Sequence, residues 1–459
     1  VWSIKAIKRI GKRLFGDGKS LPVFIFIFFF SLLFLPLAFG AEEEFLTPGR
    51  PLNLEQCIAL ALKYQPLLQA NQAAIAAQKA RVEQALAAYY PQINLNTTYT
   101  TATSNFVVAG GSAVLRQNTY NWNFTDIFAT GPALTQNIYD FGRTSNTVKI
   151  SRENVKASEM DLQTTMQTVV LNVKQTYYGV LQTLALIKVA EETLAQNQKR
   201  LDQAKGFYQA GTRPKIDVTN AEVNLANVEL ALIRAKNNYQ LARVNLNNAM
   251  GLRQDLSFAI DEAIDYKPKP YDLPDILQSA YTRRPEILQM KAKERGQEAS
   301  IKLARSSYYP ILSGNASNLW RTDRWPNDFA WDWTFGATLS IPLFSGFSTP
   351  NQIAEQKAIL KNLEAQEETL RQNIRLEAEQ AYLSLKEAGE SITVTEKAVS
   401  QAKENYDLAS GRYQVGVGQP LEITDAEVQL ANARANHIQA LYNYKASEAK
   451  VEKAMGLIR

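Results

Sequence analysis

The 459-residue chain has one cysteine, Cys57, and one histidine, His437. A single cysteine excludes an internal disulfide framework and any multi-cysteine metal site. A single histidine excludes a two-histidine metal site or a histidine proton relay, and leaves only a triad built on His437 to weigh. That residue stands in Ala435-Asn436-His437-Ile438-Gln439-Ala440 within a helical run, where a solvated or tunnel-facing side chain is expected. Walker A, Rossmann glycine and G-x-S-x-G sequences are all missing. The chain reads as a non-enzyme, with no cofactor and no metal implied.

A basic surplus is missing from most of the chain as well. Of 50 basic and 45 acidic residues, residues 1–40 hold six bases and one acid, which leaves 44 of each. This neutral remainder carries no footprint for nucleic acid. The early bases end at Lys19, and an apolar stretch follows from Leu21 to Phe39, broken only by Ser31. Small residues come next at Gly40 and Ala41. The order reads as a secretory signal peptide over residues 1–40, cut after Gly40. An N-terminal transmembrane anchor is the alternative; Pro36 and the small residues favour cleavage. Lipid attachment at Cys57 is disfavoured, because Glu55 and Gln56 stand where small residues are required, and Cys57 is expected to pack in a helix. No later segment offers about 18 consecutive apolar residues. The exported chain is therefore either soluble or crosses a membrane as β-strands.

What is present is one unit written twice. Phe207–Leu252 and Arg412–Leu457 align without a gap, with about 18 of 46 positions identical. Earlier landmarks recur too: Pro66 with Pro285, and Tyr89-Tyr90-Pro91 with Tyr308-Tyr309-Pro310. The change of offset places 14 extra residues in the first copy between Asn96 and Ile138, where Val107-Val108-Ala109-Gly110-Gly111-Ser112 reads as a longer loop. The units are taken as 51–252 and 271–457.

Each unit reads as helix, hairpin, very long helix, helix. Tyr-Tyr-Pro ends the first helices, since proline cannot continue the hydrogen-bond ladder. Period-two alternation follows, expected as strands over about 92–103 and 128–140, then 310–321 and 329–343. In the last, Phe329, Trp331, Trp333, Phe335, Ala337, Leu339 and Ile341 make one face wholly apolar. Five of the six tryptophans (Trp122, Trp320, Trp325, Trp331, Trp333) fall in or beside these hairpins, which suits a membrane interface. A soluble sheet edge is the alternative. Gly142-Arg143-Thr144-Ser145 and Ser348-Thr349-Pro350 then supply cap and first-turn residues. Proline-free runs follow, expected as helices over about 143–208 and 349–412. In the first, Val170, Val173, Tyr177, Val180 and Leu184 keep the three-four spacing of a coiled-coil seam. A helix of that length spans about 100 Å and needs a coiled coil or a helical wall. Glycine turns, Gly211-Thr212-Arg213-Pro214 and Gly416-Val417-Gly418-Gln419-Pro420, break both runs.

Four amphipathic strands cannot close a membrane barrel, so the chain is expected to oligomerise into a conduit. Tyr-Tyr-Pro, the strand exits Ile138-Tyr139-Asp140-Phe141-Gly142 and Leu343-Phe344-Ser345-Gly346, the glycine turns and the Ala-Met-Gly-Leu ends are individually weak. Doubled and in this order, they resemble the TolC family of outer-membrane efflux proteins over residues 51–457. The resemblance implies a mainly α fold with a membrane β-hairpin pair: a homotrimer with a twelve-stranded β-barrel in the outer membrane, continued by a twelve-helix α-barrel through the periplasm. It implies the exit duct of a tripartite efflux or type I secretion system. The partners would be a periplasmic adaptor (membrane fusion) protein and an inner-membrane transporter of resistance-nodulation-division, ABC or major-facilitator type.

The resemblance also assigns residues. Gly211, Thr212, Arg213, Gly416, Val417 and Gly418 become the adaptor-contacting tips. Glu422 and Asp425 become an acidic ring at the periplasmic entrance, with Asp217 and Asn220 as first-copy counterparts; charge complementing the helix dipole at its N-terminus is the alternative. Tyr208 and Tyr413 become candidate gate packing, with ordinary coiled-coil contacts as the alternative. The chain departs from the pattern at Arg213, which lies in the first tip while the second has Gly418 and Gln419. An inter-tip link from an arginine of the second turn is thus in doubt. An exported coiled-coil scaffold or adaptor with a soluble sheet is the competing reading; it would lack a bilayer-matched apolar belt.

Overall fold

The computed structural model describes residues 51–458 except 104–105, 110–111, 116–123, 253–258, 262–267, 324 and 327. The expected signal peptide and Trp122 lie outside the described residues. Helices α1 (Leu54–Tyr64) and α2 (Pro66–Leu86) are separated at Gln65, ahead of Pro66. Asn53 caps α1 in a reciprocal box with Gln56, two otherwise orphaned N–H groups being satisfied at once. Strand β1 (Gln92–Thr103) follows Pro91. The fourteen surplus residues are not a plain loop. They include a second ribbon, β2 (Phe106–Ala109) and β3 (Ser112–Leu115), paired from Phe106–Leu115 to Ala109–Ser112. Two short, largely apolar runs either side of Gly110-Gly111 are a hairpin signal. Strand β4 spans Phe124–Tyr139, starting four residues earlier than expected.

Helix α3 (Arg143–Gln209) has 67 residues, α4 spans Lys215–Met250, α5 Leu273–Arg283 and α6 Pro285–Ser306. Strands β5 (Ile311–Thr322) and β6 (Ala330–Ser340) form the second hairpin. β6 ends short of the expected residue 343 because Pro342 lacks an N–H and restricts Ile341. Helix α7 (Ser348–Gln414) again has 67 residues, and α8 spans Pro420–Ala454.

The helices build a wall four wide along its whole length. α3 and α7 run throughout. α2 and α4 flank the outer side of α3, while α6 and α8 fill the space between α3 and α7. Buried Val170, Val173, Val180, Ile374, Ala378 and Val451 lie in these seams. Cys57 is fully buried in α1, and burial pushes its thiol up to about 12.

The sheet order is β1-β4-β5-β6, all antiparallel, with β1 and β6 at the edges. Carrying the register across aligns Ile93, Leu95 and Tyr99 with Leu134, Pro132 and Phe128. The same face continues through Ala316 and Trp320 to Phe335 and Trp331, and through Leu312 to Leu339. The opposite face holds Asn94, Asn96, Thr98, Ser317, Asn315, Ser313, Thr334 and Thr338. One face of the sheet is thus mainly apolar, with Thr97, Thr130 and Asn318 set into it, and the other mainly polar. Leu95 is 71% exposed and Phe335 74% exposed. Pro132 in a central strand is tolerated at an irregularity: the β4–β5 ladder stops at Thr130–Trp320 and resumes at Ala133–Ser317. Gly131 is required there, since a Cβ would come within 1.9 Å of the Asn318 carbonyl oxygen.

Strand-to-helix joints use two successive left-handed residues, Phe141-Gly142 and Gly346-Phe347. The expected Ser/Thr caps are displaced. In the first joint the Asp140 carboxylate accepts from the Gly142 N–H at 3.1 Å, the Thr144 N–H at 2.7 Å and the Thr144 hydroxyl. An ionised side chain caps exposed N–H groups better than a hydroxyl.

Candidate functional site

The helical hairpins α3–α4 and α7–α8 turn at their tips on the same backbone device. Gly211 takes φ 69° and Gly416 φ 82°. Thr212 N–H reaches the Phe207 carbonyl at 3.0 Å, and Val417 N–H the Arg412 carbonyl at 3.1 Å. These six-to-one bonds, with Gly211 N–H to Tyr208 and Gly416 N–H to Tyr413, are Schellman closures, which need a residue at ease with positive φ. Gly418 is fixed for a different reason: a Cβ there would lie 2.8 Å from the Tyr413 nitrogen.

Arg213 joins the two tips. Its Nη2 donates to the Gly418 carbonyl at 2.9 Å and the Gly416 carbonyl at 3.3 Å, and its guanidinium lies 5.7 Å from the Tyr413 ring centre. The inter-tip link therefore exists, but it starts from the first tip and ends on backbone carbonyls. Tyr413 is buried with Ala409, Ile423 and Ala426 and meets Phe207 edge-on at 5.8 Å. Burial, then the Asp217 charge, pushes its hydroxyl pKa up. Tyr208 is 46% exposed and takes no part in that cluster.

Glu422 and Asp425 are both exposed on the first turns of α8. Glu422 lies 3.8 Å from Arg412 across the tip, a solvent-screened pair of small energetic value. Asp217 is half-buried in a cleft of about 290 Å³ shared with Asn220, Asn224, Tyr413 and Leu421, and its Oδ2 is enclosed without a partner. The three acids are thus not equivalent: two are exposed, one is recessed.

Beneath the tips lies a buried charge pair that sequence reasoning missed. Arg200 of α3 pairs with Glu427 of α8 at 2.5 Å. Arg200 also reaches the Pro420 carbonyl at 3.2 Å and the Thr424 hydroxyl, while Asn197 donates to Glu427 at 2.6 Å. All three of Asn197, Arg200 and Glu427 are less than a tenth exposed. Burial raises the Glu427 pKa, and the guanidinium opposes this. The available signal was Asn197, a polar residue at a seam position between Leu194 and Leu201. His437 is half-buried at the α7–α8 seam rather than free in solvent, with Nδ1 3.2 Å from the Thr395 hydroxyl.

The outer membrane efflux protein model matches residues 57–252 and 276–457. The chain belongs to the outer membrane efflux protein family. TolC of Escherichia coli K12 is 21% identical over 438 residues, covering 92% of this chain and 86% of TolC. The toluene efflux pump outer membrane protein TtgC of Pseudomonas putida is 26% identical over 329 residues, 69% of this chain and 66% of TtgC. Among solved structures, the Campylobacter jejuni CmeC outer membrane channel superposes with a TM-score of 0.76 at 19% identity, covering 88% of this chain and 86% of CmeC. VceC of Vibrio cholerae gives 0.74 at 19% identity, covering 88% and 96%. This family member is thus an outer-membrane efflux channel protein of TolC type. The tips lie at the end of the helical wall away from the sheet.

Proposed function

We propose that three copies close into one exit duct, a twelve-stranded barrel continued by a twelve-helix tunnel. The observation that carries this is a pair of open edges. β1 and β6 leave unpaired backbone groups in a sheet with one apolar face, and lipid cannot satisfy them. β6 has 11 residues; at about 3.4 Å each and a tilt near 45°, it spans about 26 Å, close to the apolar band of outer-membrane barrels. The helical wall has matching edges. Exposed apolar residues run along α4 (Ile216, Val223, Leu230) and, in two pairs, along α7 (Leu376 with Leu383, Leu408 with Val415), each set at the seven-residue spacing of an unpaired coiled-coil seam. Family membership favours three copies over two. The scaffold alternative lacks any use for the apolar sheet face.

In this reading the polar sheet face and the helical wall line a continuous lumen. Glu422 and Asp425, with recessed Asp217, make an acidic entrance that favours cations. The tips of residues 211–213 and 416–418 receive a periplasmic adaptor, and an energised inner-membrane transporter drives substrate through. The duct itself catalyses nothing. The Arg213 clasp and the buried Tyr413 hold the two hairpins of one chain together at the entrance, so parting the tips requires breaking two carbonyl contacts. The test is electrical. Glu422→Ala with Asp425→Ala should weaken cation block of single-channel current in planar bilayers, and unchanged block would remove the acidic ring. A detergent-solubilised mass of one chain, by light scattering, would sink the duct.

A further inference from the structure

The helix α8 carries an exposed stripe that the acidic entrance does not account for. Above Asp425 come Gln429, Asn432, Asn436, Gln439 and Asn443, all exposed. Their spacing of three and four keeps them on the face that starts with Glu422 and Asp425. Every residue of this run is a side-chain amide, and the next charge on that face is Lys450. The other charges of α8 between those limits are turned away and paired: Glu427 with Arg200, Arg434 with Glu192, Lys445 with Glu448. Helix α4 repeats the pattern above Asp217, with Asn220, Asn224, Asn227, Asn238 and Asn245 at the same spacing, interrupted by Ala231, Arg234 and Leu241. A groove of about 490 Å³ between α7 and α8 extends the uncharged lining through Ser384, Ser391 and Thr395 beside Asn436, Gln439 and Asn443; Glu387 and Lys450 are its only charges.

We infer that this stripe is a lumen-facing amide track, along which polar, hydrogen-bonding solutes pass without selection by the sign of their charge. The inference rests on the proposed duct, which turns the Glu422–Asp425 face inward. Each amide is both donor and acceptor. A wall of them exchanges hydrogen bonds with water and solute alike, presents no fixed charge to repel either ion, and offers little apolar area to hold a greasy solute. Charge selection is then confined to the entrance acids.

The test places a charge within the track. Asn436→Cys in the full-length protein is treated in planar bilayers with thiosulfonate reagents of equal size and opposite charge. The native Cys57 is fully buried and stays unmodified. Three added negative charges should raise the cation-to-anion permeability ratio at least about twofold, and three positive charges should lower it by a similar factor. Glu422→Cys is the reference position. Silence at position 436 with a response at 422 overturns the track. Silence at both overturns the inward orientation on which it rests, and the duct's entrance with it; a wild-type protein that forms no channel would count against the duct alone.

Discussion

The two halves of the chain use the same parts and fasten them differently. Each has one helix of 67 residues, one return helix and two strands in the main sheet. In the first half the joint from strand to long helix is held by the Asp140 carboxylate. In the second, Ser345 takes its place, and among the described residues its hydroxyl meets the Thr349 hydroxyl, at 3.1 Å. At the break between short helices the first half uses Gln65, which donates to the Ala249 carbonyl at 3.2 Å. The second uses Arg284, 3% exposed, against Glu286 and Glu377 at 2.8 and 2.7 Å. At the tips the first half supplies the bridging Arg213 and the second supplies the exposed acids Glu422 and Asp425. Shape is therefore set by the shared apolar spacing and glycine turns, while polar fastenings were free to differ. Ion pairs between halves, among them Arg200–Glu427, Lys174–Glu452 and Arg295–Glu153, join unlike positions.

Substitutions can break or sharpen this contrast. The largest effect is expected at the cross-half pair. Arg200→Met or Glu427→Leu alone should cost about 3–5 kcal/mol by leaving a buried charge unpaired, whereas the double variant should recover most of that loss. Thermal unfolding in detergent would read it, and equal losses in single and double variants would deny the coupling. Next are the two joints. Asp140→Ala should cost about 1 kcal/mol, and Ser345→Ala only a few tenths, because no backbone N–H loses its acceptor. Equal costs would erase the distinction between halves.

The smallest effect is one of pH. Burial, then the hydrogen bond and charge of Glu367, pushes the Glu294 carboxyl from an ordinary 4.5 up to about 7. The folded chain holds this proton where the unfolded chain has lost it. The resulting stabilisation is complete below about 4.5 and disappears as pH rises through about 7. With solvent screening it amounts to no more than about 1 kcal/mol. Glu294→Gln should flatten the dependence of unfolding temperature between pH 5 and 8; an unchanged slope would assign it elsewhere.

Local rules made much of the architecture readable. Alternation from Phe329 to Ile341 gave the apolar face, and freedom from proline gave the two long helices. Pro66, Pro91 and Pro342 mark helix or strand limits because a missing N–H acts on its neighbours alone. The chemistry of fastening was not readable. Arg213 ends on two carbonyls some 200 positions away, and Arg200 on a glutamate 227 positions away. Nothing in either neighbourhood names the partner. The β2–β3 ribbon has a local signal too, in the Gly110-Gly111 pair between its two strands. Glu422, Asp425 and the tip glycines Gly211 and Gly416 lie on exposed turns, while Asp217 is recessed beside Pro420, Leu421 and Thr424 at the α8 start.

The joints have one mechanical consequence. β4 ends at Tyr139 and α3 begins at Arg143, whereas β6 ends at Ser340 and α7 begins only at Ser348. The first connection is a short strut clamped by a carboxylate. The second is a longer tether without that clamp. A force applied at the far end would travel into the sheet through the first rod, while the second has a longer linker to turn on.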